Sequence, residues 1–166
     1  MSTASSLKGK VILVVDDEPD VLDSVEQILD MCIVHKAKDY DSGRQFLLSY
    51  IYDIVILDIM GVNGFQLLKT SVSRGFPTVI LTAHAVTPDA LKESIKLGAV
   101  FFLPKENLSD LKEFLEEAIR NGSKVLWAKF FDKLGAYFKM RFGADWKDRD
   151  QFLKDFEQSL RKSEGT

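Results

Sequence analysis

The 166-residue chain has one cysteine, Cys32, so no disulfide can form within it. That excludes a small disulfide-stapled fold and is compatible with a reducing compartment. No apolar run approaches the length of a membrane span, and Met1 to Ser6 are small and polar, without a basic-then-apolar leader pattern. The chain therefore reads as cytoplasmic, with no membrane role. No large excess of charge of one sign is present either: the formal net charge of −3 argues against bulk affinity for nucleic acid. There is no Gly-x-x-x-x-Gly-Lys phosphate loop, and Gly61-x-x-Gly64 alone is too weak to stand in for one. Prolines number four, Pro19, Pro77, Pro88 and Pro104, and each falls where an element would begin or end.

What is present is ordinary for a globular protein, with 46% hydrophobic and 28% charged residues. The length suffices to bury one domain's core and a small appendage. Charge divides unevenly: residues 1–120 carry 12 Lys and Arg against 18 Asp and Glu, whereas residues 121–166 carry 10 against 7. A net −6 part is thus joined to a net +3 part, and the two are expected to have different jobs. The boundary is placed so that 1–121 forms one domain and 122–166 a helical extension.

The pattern of the first part is strand and helix in alternation. Val11-Ile12-Leu13-Val14-Val15 and Asp53-Ile54-Val55-Ile56-Leu57-Asp58 are apolar, β-branched runs between polar or turn-prone residues, so they read as strands buried on both faces. Cys32 to Ala37, Thr78-Val79-Ile80-Leu81 and Val100-Phe101-Phe102-Leu103 are three more. Between them, helical spacing predicts helices from Pro19 to about Met31, Tyr40 to Ser49, Phe65 to about Ser73, Thr87-Pro88 to Leu97, and Leu108 to Arg120. Gly43 is a weak point in the second of these. Five strands alternating with five helices imply an α/β fold, a parallel sheet covered on both sides by right-handed crossovers. Ligands of such open sheets bind beyond the carboxyl ends of the strands. Here those ends carry Asp16, Asp17, Asp58, Thr82 and Lys105. Alone, Asp16-Asp17-Glu18 ahead of a helix would also serve simply as favourable N-terminal charge, Thr82 as a strand end and Lys105 as a solvated lysine. Chance has to supply all of the strand ends at once for that account to hold.

On four stretches the chain resembles the receiver domain of two-component response regulators over about residues 9 to 120. They are Val14-Val15-Asp16-Asp17-Glu18, Asp53-Ile54-Val55-Ile56-Leu57-Asp58-Ile59-Met60, Leu81-Thr82-Ala83 and Phe102-Leu103-Pro104-Lys105. The resemblance implies a flavodoxin-like (βα)5 doubly wound parallel sheet of strand order 2-1-3-4-5, followed here by a C-terminal helical hairpin. It also implies a phosphoryl group accepted on Asp58 from a sensor histidine kinase or phosphotransfer protein.

The residue types suit that chemistry. Clustered carboxylates repel, and a hard divalent cation removes the penalty; Mg2+ binds through one or two carboxylates and retains waters. Asp58 is then a nucleophile, Lys105 a positive point charge, and the Thr82 hydroxyl and Ala83 N–H hydrogen-bond donors. The resemblance implies Asp17 as direct metal ligand, Asp16 acting mainly through water, Asp58 itself, and the Met60 carbonyl completing the set. Glu18, Ala83 and His84 border the site. Thr82 and Phe102 form the expected switch, with Phe102 turning inward as Thr82 is drawn to the phosphoryl group. Two departures from the family pattern stand out: the loop from Asp58 to Gly64 is shorter than usual and lacks a proline, and Pro104 precedes Lys105 where the family has proline after it. His35 and Cys32 read as structural. A haloacid-dehalogenase-type phosphatase is the enzyme alternative, but its nucleophile normally follows the first strand in an Asp-x-Asp run.

In the extension, Val125, Leu126, Phe130, Phe131, Leu134, Tyr137 and Phe138 form an apolar stripe, with Lys129, Asp132 and Lys133 off it. Ser123 is a candidate cap, Phe142-Gly143-Ala144-Asp145 a turn, and Trp146 to Leu160 a second amphipathic helix. Such a hairpin cannot bury this surface by itself. The first expectation is a homodimer or docking of a downstream protein; a DNA-binding output module is the runner-up, poorly served by two helices with no basic stripe. A lid over the chain's own first domain is the third reading.

Overall fold

A computed structural model describes residues 5–83, 87–146 and 148–164. Five strands, β1 (Val11–Val15), β2 (Ile33–Ala37), β3 (Ile54–Asp58), β4 (Thr78–Thr82) and β5 (Phe101–Pro104), form one parallel sheet in the order β2-β1-β3-β4-β5. The doubly wound α/β architecture is as expected. Central strands β3 and β4 are buried along their whole length, whereas edge strand β2 is largely open on its outer side. The register pairs Val15 with Leu57, Asp58 with Leu81 and Thr82 with Pro104. Consequently the residues that end or follow four of the strands reach one rim together.

Helices α1 (Pro19–Ile28), α2 (Tyr40–Ser49), α3 (Gly64–Ser73), α4 (Pro88–Lys96) and α5 (Leu111–Asn121) connect the strands. Thr87 caps α4 by accepting from the Ala90 N–H at 3.1 Å, with Pro88 in the first turn, as the sequence signals. Asp39 caps α2 in the same way, accepting from the Ser42 N–H at 2.8 Å. Gly43 is a packing requirement more than a weak point. A Cβ there would meet Val15 Cγ1 at 3.0 Å, so the missing side chain lets α2 close onto β1.

Two boundaries in the sheet domain differ from expectation by more than a residue. α1 stops at Ile28, because the chain must turn through Leu29 and Cys32 to give the Ile33 N–H to the Lys10 carbonyl and start β2. α5 begins at Leu111, preceded by a 3-10 segment, Lys105–Asp110, that carries the chain off the sheet edge. His35 and Cys32 are structural as expected. The His35 ring lies 2.8 Å by Nδ1 from the Tyr52 hydroxyl, among Phe46 and Tyr50. The Cys32 thiol donates to the Leu7 carbonyl, and burial raises its pKa.

The extension forms α6 (Ser123–Phe142) and α7 (Gln151–Glu164). Gly122, at φ 83°, caps α6 in place of Ser123, which is the first helical residue. α7 starts at Gln151, not Trp146, because the Asp150 carboxylate accepts the N–H groups of Phe152 and Leu153 at 2.9 and 3.3 Å. Trp146 stays in the turn, buried and stacked on Phe138 at 4.7 Å. Side chains of Val125, Leu126, Lys129, Phe130, Phe131, Asp132, Lys133, Leu134 and Tyr137 lie outside the described set.

α6 packs on α5 and β5. Trp127 is buried with its ring 6.5 Å from Phe101 of β5 and 5.7 Å from Phe156 of α7; Phe101 in turn sits 4.5 Å from Phe114 of α5. The α6–α7 connection is tied to α4 by Lys92 Nζ to Asp150 Oδ2 at 2.9 Å, and Lys96 lies over the Phe152 ring at 5.2 Å. Buried residues of the hairpin and of the sheet domain form one continuous core, so the described part of the aromatic surface is covered within the chain, on the face made by α4, β5 and α5.

Candidate functional site

Asp16 follows β1 directly and is fully buried; Asp58 closes β3 and is 3% exposed. Two buried carboxylates at one sheet rim require a counter-charge. Lys105, which leaves β5 at the same rim, provides it: Nζ lies 2.8 Å from Asp16 Oδ2, 3.2 Å from Glu18 Oε1 and 3.5 Å from Asp58 Oδ2. The shortest of these is the ion pair that meets the buried Asp16 Oδ2. Asp16 Oδ1 accepts the Glu18 N–H at 2.9 Å, fixing the turn that carries Asp17 and Glu18 outward.

Electrostatics follow from the imbalance of four carboxylates around one ammonium. Burial, then the neighbouring Asp16 and Asp17 charges, push Asp58 up to about 6 against the relief given by Lys105. Asp16 is raised by burial too, offset in part by Lys105 and the Glu18 N–H. For Lys105, burial acts to lower the pKa; the contacts with Asp16, Asp58 and Glu18 outweigh it and the net shift is upward.

These features fit a divalent cation. Ligand oxygens of Asp16, Asp17 and Glu18 can all lie within 4.8 Å of one another. The buried Asp16 Oδ2 is held by Lys105 Nζ at 2.8 Å, and hard cations take an oxygen set of this kind. Beside them Glu18, Val21, Thr82, Ala83, Lys105 and Glu106 line an open cleft of about 190 Å3, room for a tetrahedral anion with its waters.

Of the residues singled out from the sequence, Asp16, Asp58, Thr82 and Lys105 converge at this rim, with Asp17, Glu18 and Ala83 around them. Glu18 stays largely exposed at the edge of the site, its carboxylate 3.2 Å from Lys105 Nζ. Met60 has an exposed side chain, and its carbonyl accepts the Val62 N–H at 2.8 Å. Phe102 is fully buried, opposite Ile80 of β4. His84 lies outside the described residues. Glu106, Val21 and Gly61 were not anticipated: Glu106 follows the lysine directly and could have been read from that, whereas Gly61 and Val21 reach the site only through tertiary packing.

The sequence profile of the response regulator receiver domain matches residues 12–116. The chain belongs to that family. Similar curated proteins include the two-component response regulator ARR18 of Arabidopsis thaliana, 28% identical over 70% of this chain and 19% of that protein. The transcriptional regulatory protein CiaR of Streptococcus pneumoniae is 32% identical over 68% of this chain and 53% of its own. Matches to these regulators thus span between a fifth and about a half of their length. A CheY-like receiver domain protein from Methanospirillum hungatei superposes with TM-score 0.62 and 26% identity, covering 70% of this chain and 98% of that one. A response regulator protein from Burkholderia pseudomallei, solved with a phosphorylated aspartic acid, calcium ion and citrate, shares the fold at TM-score 0.63 and 15% identity. Receiver domains accept a phosphoryl group on an aspartate, bind a divalent cation and imply a cognate histidine kinase; they are phosphoacceptors more than classical enzymes. Membership sets the dehalogenase-type phosphatase aside. Among the described residues no helix is long and apolar enough to cross a membrane.

Proposed function

We propose that this protein is a cytoplasmic phosphoacceptor whose acceptor residue is Asp58. The observation that carries the assignment is a carboxylate 3% exposed at the end of a central strand, 3.5 Å from the Lys105 ammonium and beside a cleft walled by Thr82 and Ala83. With a pKa near 6 it is mostly ionised at neutral pH, as a nucleophile must be. An Asp58 oxygen attacks the phosphorus of a phosphohistidine on a sensor kinase or phosphotransfer protein. The P–N bond breaks, and the imidazole nitrogen leaves with the electron pair. Lys105, the Thr82 hydroxyl and the Ala83 N–H receive the phosphoryl oxygens. Mg2+ held by Asp16, Asp17, Asp58 and the Met60 carbonyl would supply charge neutralisation for those oxygens.

The output we assign to the hairpin. α6 and α7 cover the α4, β5 and α5 face, which adjoins both Thr82 and Phe102, so a phosphoryl group at Asp58 acts on that cover. This favours the lid reading over dimerisation or DNA binding, since the Trp127 contact and the Lys92–Asp150 pair are made within the chain. Intact mass after treatment with acetyl phosphate and Mg2+ tests the acceptor assignment. Wild type gains one phosphoryl group, Asp58→Asn none, and Asp17→Asn less than wild type. A phosphoryl group retained in Asp58→Asn places the acceptor elsewhere.

A further inference from the structure

Between β3 and α3 the chain has only residues 59–63, and it turns at Gly61, whose φ is +75°. The Val62 N–H donates to the Met60 carbonyl at 2.8 Å. Together these close a γ-turn of the rarer, positive-φ kind around Gly61. An L side chain is strained at that φ. Space adds a second constraint: a Cβ at Gly61 would stand 2.5 Å from Asp17 Oδ2 and 2.8 Å from Oδ1, so a side chain there would have to displace the Asp17 carboxylate. Both oxygens of Asp17 therefore rest against the bare Cα of the loop. Left-handed geometry does not by itself produce such crowding, because Gly75, at φ +81°, has nothing within 4 Å of its own Cβ position.

The far end of the loop cannot give way. A Cβ on Gly64 would lie 2.0 Å from the Asp58 carbonyl oxygen, and the Gly64 N–H is bound to the Ile59 carbonyl at 3.0 Å. The loop is thus pinned beside the acidic rim at Gly64 and folded onto Asp17 at Gly61.

We propose that Gly61 is the positioning residue of the cation site in this chain. Its γ-turn takes up the missing loop length and fixes the Met60 carbonyl, and its bare Cα lets the Asp17 carboxylate lie against the loop directly after that carbonyl. The γ-turn bond uses one lone pair of the Met60 oxygen and leaves the second for a cation. A methyl group at position 61 forces the Asp17 carboxylate away from the loop, separating two of the groups assigned to one ion. The inference rests on the assignment of Asp17 and Met60 to the cation made above.

The test is Mn2+ binding to the metal-free 166-residue chain, followed by electron paramagnetic resonance of the free ion. Gly61→Ala is expected to weaken binding about tenfold or more, the scale seen when groups that orient metal ligands are disturbed. Gly75→Ala, which carries the φ strain without the clash, is expected to bind as wild type does. Equal affinity in wild type and Gly61→Ala overturns the role of Gly61 while leaving the site itself intact. Failure of the wild type to bind Mn2+ overturns the cation assignment and this inference with it. Should Gly61→Ala not fold, Mg2+ added to wild type decides through carbonyl-carbon NMR, which reports direct contact with the ion. A shift of the Met60 carbonyl together with the Asp17 carboxyl supports the proposal; an unshifted Met60 carbonyl beside a shifted Asp17 carboxyl overturns it.

Discussion

Without a cation, Asp58→Asn is expected to stabilise the protein at neutral pH. Burial and the Asp16 and Asp17 charges hold the Asp58 carboxyl at about 6, against an ordinary value of 3.8. The folded state therefore binds this proton more tightly than the unfolded chain does. Stability falls as pH rises from near 4 to near 6 and stays low above that. A shift of about two units corresponds to about 3 kcal/mol, since each unit is worth about 1.4 kcal/mol. Asparagine keeps the shape and drops the charge, but it also loses the attraction to Lys105, 3.5 Å away. The net gain at pH 7 is set at about 1 to 3 kcal/mol. Urea unfolding followed by tryptophan fluorescence, in EDTA at pH 4 and pH 7, measures it. The gain should be present at pH 7, absent at pH 4, and reduced by millimolar Mg2+, which stabilises wild type by mass action. A variant less stable than wild type at pH 7 in EDTA, or a gain equal at both pH values, would refute the electrostatic reasoning.

Lys105→Met leaves Asp16, Asp58 and Glu18 without their shared ammonium, so Asp58 should titrate above its wild-type value near 6, visible in carboxyl-carbon NMR. Asp150→Ala removes both the Lys92 pair and the cap of α7 and should cost about 1 to 2 kcal/mol, against at most about 1 for Lys92→Ala, by urea unfolding. Because that pair and the cap hold the Asp150 carboxyl below its usual range, its contribution is complete above the ordinary aspartate pKa and fades as pH falls through the depressed value. Trp127→Ala should cost about 3 to 5 kcal/mol, measured in the same way, because it empties a buried contact among Phe101 and Phe156.

The sheet was legible because its strands are short, β-branched and bounded by turn residues, and because a parallel α/β chain has few topologies open to it. The acidic rim was legible for a related reason: residues ending parallel strands are brought together by the sheet whatever the loops do. The sequence pattern draws Trp146 into the helix because an amphipathic period continues through it, while the competing signal, Asp150 as a cap, is one carboxylate among several nearby. The home of the hairpin was not legible. Its stripe specifies that something apolar must cover it, but the complement that Trp127 meets, made by Phe101 and Phe114, exists only once α5 and β5 have packed. The fit of Gly61 against Asp17 was hidden for the same cause, since no local pattern links a loop glycine to a carboxylate 44 positions earlier.

On the proposed output, two routes lead from the acidic rim to the hairpin, and they differ in strength. Thr82 feeds toward α4, which holds the start of α7 through Lys92–Asp150 and Lys96 over Phe152. Partly exposed contacts of this kind are worth up to about 1 kcal/mol each. Lys105 feeds back into β5, which holds α6 through the buried Phe101–Trp127 contact, worth several times more by the cost of emptying it, about 3 to 5 kcal/mol. A disturbance of a few kcal/mol at Asp58 is enough to break the first attachment and short of what the second requires. Release should therefore be graded: beryllofluoride with Mg2+ should speed amide hydrogen exchange across the start of α7 while the Trp127 turn of α6 stays protected. Simultaneous loss of protection in both helices, or protection unchanged in both, would show that the two attachments are not the separable links their energies make them.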